Sequence, residues 1–439
     1  MIKVAKFGGS SVAGADQFAK VKQIITTDPD RKVVISSAAG KRFSKDSKMT
    51  DLLYLVHAHI KYGASYAEIL EDIRSRLLEI KTNLGLELDI ESDFGSFAAE
   101  LNKGTSLDYI VSRGEYFTSK LMAEYLGYAF VDASDCIFFQ YDGTVDAAKT
   151  YDAIRKYFNQ YGSIVIPGFY GSFPNGKIRV MSRGGSDITG ALAAAALDAS
   201  VYENWTDVSG ILMADPRIVD DPKPIRKLTY GELRELAFMG ASVLHEESVY
   251  PVKEKSIPLN IRNTNEPDNP GTVIMQTIED DPESSRERFI TGIAGRRDFT
   301  VVTVRKQNMS NIHELRKVLK IADMNDVFLE QITLGIDCFA FIAATSQLEG
   351  KIYDILGEIQ QEVRPDDIMV KDGISLIASV GRKMTSKPGS SAKLFGALGS
   401  NGINIKTIVQ SSDELSIMVG VDNEDFERAI RVLYEGFAG

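Results

Sequence analysis

The chain has 439 residues, which at roughly 150 residues per domain corresponds to about three domains. Hydrophobic residues make up 44% and charged residues 25%, ordinary values for a globular protein that exclude a largely disordered chain or a disulfide scaffold. Fifty Lys+Arg against 61 Asp+Glu leave a net charge of −11, which argues against general attraction to nucleic acid or to anionic lipid, so any phosphate-binding surface must be local. Cys136 and Cys338 form no CxxC pair, and His57, His59, His245 and His313 show no zinc spacing, so a reducing, cytoplasmic location without a side-chain metal site is expected. The opening MIKVAKFGG has no apolar leader, and no uncharged apolar stretch reaches 18 residues; a soluble protein with no membrane partner and no nucleic-acid partner is expected.

In chain order, IKVAKFG reads as a strand, a helix is expected near 15 to 27, and KVVISSA at 32 to 38 reads as a second strand. That alternation predicts βαβ units and a mainly parallel sheet covered on both faces. Residues 50 to 126 are mostly helical in pattern, and strand-like segments return at YAFVDA, SIVIPGFYG and KIRVMSRGG. DITGALAAAALDAS reads as a helix with a small, apolar interior, buried against the sheet. Pro, Asn and acidic residues then cluster before ITGIAG, which places a domain boundary at about 275 to 288. Two units of similar layout follow. Each is a strand, a polar turn carrying Met309 or Met384, an amphipathic helix, a turn and a second strand, and the 75-residue offset is the length of a small βαββαβ module.

Four segments could carry chemistry. Lys6-Phe7-Gly8-Gly9-Ser10-Ser11 follows a strand and precedes a helix. Its glycines let backbone approach a phosphate, its hydroxyls and amides can donate to phosphate oxygens, and Lys6 offers a point charge to a moving phosphoryl group. The same glycines also suit a plain tight turn. Ser182-Arg183-Gly184-Gly185-Ser186-Asp187 resembles a second anion cradle, with Arg183 as a fork for a carboxylate and Asp187 either a helix cap or a chemical group. Trp205-Thr206-Asp207-Val208, continuing to Asp215-Pro216-Arg217, reads either as nucleotide contacts or as a turn with a surface ion pair. Glu115, in Ser112-Arg113-Gly114-Glu115, is either an acceptor for a substrate ammonium or an exposed first-turn residue.

Taken together, KFGGSSVA at 6 to 13, VSRGEYFTSKLMAEYLG at 111 to 127, SRGGSD at 182 to 187, WTDVSGILMADPR at 205 to 217 and FMGASVLH at 238 to 245 resemble the aspartokinase family, monofunctional members with a C-terminal pair of ACT domains. The resemblance spans essentially the whole chain. It implies an α/β fold: an amino-acid kinase α/β/α sandwich over 1–285, then two ferredoxin-like ACT domains over 286–365 and 366–439, with the strand at ITGIAG belonging to either module. It implies transfer of the γ-phosphoryl of ATP, with Mg2+ held mainly by the phosphates, to the β-carboxylate of L-aspartate, the step that leads to lysine, threonine and methionine. Under it Lys6 and Asp187 are catalytic, and Ser36, Thr50, Glu115, Arg183, Gly184, Gly185 and Ser186 hold aspartate. Gly8, Gly9, Ser10, Thr206, Asp207, Arg217, Ser242 and Val243 serve ATP.

Three departures from the family pattern matter. The family usually carries Lys in GAKVLH where this chain has Ser242, so a second cation must come from Lys227 or Arg217 or be dispensed with. Leu212 or Met213 stands where many members have Tyr. The basic segment between Ser36 and Thr50, with Lys41, Arg42, Lys45 and Lys48, is longer than usual and reads either as a mobile, phosphate-seeking lid, the reading adopted, or as a solvated loop. In the ACT pair an amino-acid effector is expected around Met309, Ser310, Leu329 and Glu330. The acidic side chain suits a distal ammonium and favours L-lysine over threonine as the effector, unless Glu330 only pairs with a neighbouring base; the pairing of such modules implies a homodimer or homotetramer. Ser390 and Ser391 mark a second effector pocket or an interface. The chain ends at Gly439, so no fused homoserine dehydrogenase is expected. The rival readings are another amino-acid kinase and a non-catalytic amino-acid sensor.

Overall fold

The structure is a computed structural model that describes residues 1–182, 184–241, 244, 246–278, 290–307, 311–386 and 388–438. Of the sequence-derived site positions, Arg183, Ser242, Val243, Met309 and Ser310 lie outside the described residues, as does His245. The chain forms two units: one of Met1–Ile211, Pro224–Arg234 and Val243–Asp281, the other of Leu212–Lys223, Glu235–Ser242 and Pro282–Gly439. Among the described residues no helix is long and apolar enough to cross a membrane.

The first unit is built on an eight-stranded sheet. Its strands are β1 (Lys3–Phe7), β2 (Arg31–Ser36), β3 (Ala129–Phe130), β4 (Ile164–Pro167), β7 (Val201–Thr206), β8 (Lys227–Thr229), β9 (Leu259–Asn263) and β10 (Thr272–Met275), with β5 (Tyr170–Ser172) and β6 (Ile178–Val180) forming a separate hairpin. The order is β8-β10-β9-β7-β1-β2-β4-β3, and every pairing is parallel except β9 with β10. Helices fill the connections, including α1 (Ala15–Thr26), α2 (Met49–Tyr62), α3 (Ala67–Leu84), α4 (Ile90–Glu100), α5 (Leu107–Leu126), α6 (Ala147–Tyr161) and α7 (Gly185–Ala196). Central strands are apolar on both sides because both faces are covered: Val4, Ala5 and Phe7 on β1 and Val33, Val34 and Ile35 on β2 are all buried.

The two faces are packed differently. On one, Ala5, Phe7, Val34 and Trp205 share a core with Phe18 of α1, Leu53 of α2 and Ile110, Phe117 and Leu121 of α5, and the Phe7 and Trp205 rings stack at 6.0 Å. On the other lies α7, whose Ala191 and Ala193 to Ala196 are fully buried; small side chains let this helix approach the sheet closely. A buried polar cluster pins β7: the Arg31 guanidinium donates to Glu203 at 2.7 and 3.1 Å, and the Trp205 indole N–H donates to the same carboxylate at 2.9 Å. The cluster thus leaves the buried Glu203 carboxyl paired and hydrogen-bonded.

The second unit contains a six-stranded antiparallel sheet of β11 (Gly292–Arg305), β12 (Gln331–Leu334), β13 (Cys338–Ala344), β14 (Asp367–Val380), β15 (Thr407–Gln410) and β16 (Ser416–Asp422), in the order β12-β13-β11-β14-β16-β15. Two of its strands are long enough to serve both sequence repeats. Phe299 to Arg305 of β11 pair with β13, whereas Gly292 to Arg296 pair with Leu376 to Val380 of β14, which in turn pair with β16; the register shifts between Arg296 and Phe299. Two cores result. Val302, Val304, Phe339 and Phe341 pack with α8 (Asn311–Met324) and α9 (Ile352–Val363). Ile290, Ile293, Ile377, Ile417 and Val419 pack with α10 (Ser390–Ser400) and α11 (Phe426–Ala438). The ITGIAG segment therefore packs with the second repeat, not with the one that follows it in sequence.

Candidate active site

A cavity of about 470 Å³ opens in the first unit where the chain leaves the C-terminal ends of the central strands, the usual place for a ligand in an open α/β sheet. Lys6, Gly8 and Gly9 come from the end of β1, Thr50 and Tyr54 from α2, and Glu115 from α5. Ser182, Gly184, Gly185, Ser186 and Asp187 come from the start of α7. Lys6, Asp187, Thr50, Glu115, Gly8, Gly9, Gly184, Gly185 and Ser186 thus share one wall despite their separation in sequence.

Local chemistry explains the shape. Gly184, immediately before α7, has φ of +77°, a left-handed conformation open to glycine without strain. It turns the chain so that the amides of the first turn of α7 head that helix at the cavity. Across from it, a Cβ on Gly40 would lie 2.5 Å from the Gly9 carbonyl carbon; only a bare backbone allows the chain leaving β2 to lie against the first glycine loop. Phe169, another wall residue, has φ of +79°, a costly conformation for a bulky side chain. It is held there by an amide donation to Thr189 Oγ1 at 3.2 Å and by accepting from the Met181 amide at 2.7 Å.

Two charged features dominate. Lys6 Nζ lies 2.6 Å from Asp187 Oδ1, with both side chains largely buried. Glu115 is 5% exposed, and burial pushes its carboxyl up to about 8, against donation from the Ala38 and Glu115 amides and the field of Arg113. Glu115 Oε2 is buried without a hydrogen-bond partner, an arrangement that favours a cation arriving with a ligand. Arg113 itself sits among the rings of Tyr109, Tyr116 and Tyr170 at 4.4 to 5.3 Å.

Other expected site residues lie elsewhere. Ser36 is fully buried and donates to the Ser37 carbonyl at 3.1 Å, while Ser37 occupies the wall. The register pairs Ser36 with Phe7 and Ile35 with Lys6, so alternation sends Ser36 to the Phe7 face and its successor to the Lys6 side. Ser10 is exposed and off the wall. Thr206 and Asp207, at the end of β7, are also off it and are linked by a Thr206 hydroxyl donation of 3.1 Å. Arg217 belongs to the second unit, where its exposed guanidinium pairs with Asp215 at 2.6 Å. Lys227 is the exposed first residue of β8. Leu329 and Glu330 precede β12 in the second unit. Sequence reasoning missed Tyr54, Phe169, Met181 and Asn204, the last sitting one residue before the WTDV motif.

The basic segment is not an open lid at Arg42. That guanidinium is committed to Asp46 at 2.9 and 3.2 Å and to Glu79 at 2.7 Å, and it holds the Asp46 carboxyl well below the usual range. Buried Arg76 on α3 clasps the same segment, donating to the carbonyls of Ser47 at 2.9 Å, Ala13 at 3.3 Å and Gly40. Arg42 was expected to seek phosphate; two acidic neighbours take its charge instead.

The profile described as Amino acid kinase family matches residues 1–263. Aspartokinase 3 of Bacillus subtilis (strain 168) is 32% identical over 452 residues, covering 99% of this chain and 98% of that protein. The chain belongs to the aspartokinases, within the amino acid kinase family. It is an aspartate kinase with a mainly parallel catalytic sheet. The profile for the ACT domain matches residues 377–437. The crystal structure of Clostridium acetobutylicum aspartate kinase superposes with a TM-score of 0.93 at 43% identity, covering 99% of each chain. E. coli aspartokinase III matches at 26% identity in two forms. The complex with aspartate and ADP, called the R-state, gives a TM-score of 0.75 over 99% of each chain. The complex with lysine and aspartate, called the T-state, gives 0.74 over 100% of each.

Proposed function

We propose that this aspartate kinase transfers the γ-phosphoryl group of ATP to the β-carboxylate of L-aspartate inside the cavity bounded by Lys6, Asp187 and Glu115. One observation carries the reading: a lysine–aspartate pair at a glycine loop shares a cavity with a buried carboxyl that has one unpartnered oxygen. The glycine loop after β1 and the start of α7 supply amides for anionic oxygens. Glu115 takes the substrate ammonium, and Arg183, Ser186 and Thr50 take its carboxylates. Lys6 stabilises charge on the moving phosphoryl while Asp187 holds Lys6 in place. The acceptor carboxylate is already ionised, so no general base is needed, and the chain contributes positioning and electrostatics.

Magnesium fits this wall in a limited way. Glu115 is buried and Asp187 is engaged by Lys6, so oxygen ligands are too few for a protein-built cage. The ion would be held mainly by the nucleotide phosphates, with Asp187 as the accompanying carboxylate, and it would neutralise phosphate charge. Thr206, Asp207, Arg217, Ser242 and Val243 are read as serving the nucleotide. Residues 1–285 are read as the catalytic part and 286–365 and 366–439 as the two ACT domains, with the strand before Asp298 packed on the latter. An ATP-dependent hydroxamate assay tests the activity: a hydroxamate is expected with L-aspartate and not with acetylglutamate, and no aspartyl hydroxamate would leave the sensor or another substrate.

The effector is read as L-lysine. The Glu330 side chain is 4% exposed, Arg296 donates to its Oε1 at 3.0 Å, and Oε2 is buried without a partner. An ammonium could complete that carboxylate. Exposed Phe328, Leu334 and Ile336 around edge strand β12 and Ile408 on edge strand β15 support assembly into a dimer or tetramer through this unit. Effector binding then acts by differing in affinity for two states of the enzyme. Glu330→Gln is expected to raise the lysine concentration for half-inhibition by roughly 10- to 100-fold, the loss of one charged hydrogen bond, measured against the variant's own uninhibited rate. Unaltered lysine sensitivity would misplace the pocket.

A further inference from the structure

Lys6 and Asp187 do not form an isolated pair. Asn204, on β7, is the direct cross-strand neighbour of Lys6 on β1. Its side-chain Oδ1 accepts from Lys6 Nζ at 3.3 Å, and its Nδ2 donates to Asp187 Oδ1 at 2.9 Å. With the 2.6 Å Lys6–Asp187 contact, the three side chains close a ring. Asn204 is 3% exposed and is not on the cavity wall, so it lies beneath the pair and out of a substrate's reach.

We propose that Asn204 is a positioning residue for phosphoryl transfer, holding Lys6 and Asp187 in their working orientation while adding no charge. An ammonium only donates and a carboxylate only accepts, so one group that touches both must do each. A primary amide does so while remaining neutral at every pH. A second carboxylate here would compete for Lys6, and a second cation would bind Asp187 and release Lys6. An apolar side chain would leave both members of the pair free to turn, and a displacement of about 1 Å in a phosphoryl-transfer site can cost 10²-fold in rate. The proposal rests on the reading of Lys6 and Asp187 as catalytic.

The test compares Asn204→Leu with Asn204→Asp. Asn204→Leu is expected to lower kcat per folded enzyme by about 10- to 100-fold, with KM for aspartate and ATP within threefold. Asn204→Asp, of the same shape, is expected to be as slow, because a carboxylate only accepts and would compete with Asp187 for Lys6; its KM values should likewise stay within threefold.

A merely structural amide would lower the melting temperature and leave kcat per folded enzyme unchanged. A kcat within twofold of the parent for Asn204→Leu or for Asn204→Asp overturns the proposal. If Asn204→Leu fails to fold, the kcat of the isosteric Asn204→Asp alone decides. If Asp187→Asn keeps full turnover, the site reading fails instead, and the two failures remain separate.

Discussion

Lys6→Met is expected to lower kcat by about 10²- to 10³-fold, the range for removing a preorganised donor from a charge-developing site. Methionine preserves the length and apolar stem of the side chain, so lost charge is the main change. Asp187 then faces the nucleotide as an uncompensated carboxylate, and KM for ATP should rise as well. Stability should fall by roughly 1–3 kcal/mol, below the range for a fully buried pair, because the Asn204 amide still donates to Asp187. The double variant Lys6→Met/Asp187→Asn removes both charges. It should regain much of the melting temperature yet none of the turnover, which separates catalytic from structural loss. Turnover of the single variant within tenfold of the parent would refute a role for Lys6 on the phosphoryl group.

The parts of this site that could be read from sequence are local ones. Lys6 lies near the end of a strand that Gly8 and Gly9 follow, and Gly184 to Asp187 open a helix; backbone chemistry ties each set to an anion without knowledge of the fold. What escaped depends on register. Ser36 and Ser37 differ by one step of strand alternation, and only the pairing of Ser36 with Phe7 settles which one faces the cavity. Asn204 has no local signal, since its role exists only because β7 lies beside β1 with Lys6 opposite Asn204. The pairing of Arg42 was hidden for a related reason: its partner Glu79 lies 37 residues away on another element, and a run of basic residues carries no mark of such pairing. In the second unit the repeat was legible by its spacing, whereas the sharing of β11 and β14 between two cores follows from strand length and a register shift.

Glu115→Gln is expected to raise KM for aspartate roughly 10- to 100-fold at pH 8, the value of one charged hydrogen bond to the ammonium, with a smaller change in kcat. In the ligand-free parent, burial holds the Glu115 proton up to about 8, so the carboxyl must lose it before an ammonium can bind. The parent's kcat/KM for aspartate should therefore climb as pH rises through about 8, and this component should be missing in the Gln variant. Stability moves the opposite way. The folded-state value is raised above the ordinary 4.5, so between those two values the unfolded chain ionises while the folded chain does not, and the free parent loses stability as pH rises through that window. Glutamine carries no such cost. Without ligand, Glu115→Gln should be no more stable than the parent at pH 4 but distinctly more stable at pH 9, by on the order of a few kcal/mol. Saturating aspartate should narrow or reverse that gap, because only the parent has a carboxylate to offer the ammonium. A Gln variant that is less stable than the free parent at pH 9 would mean that Glu115 is already satisfied by the protein and is not waiting for a substrate's charge.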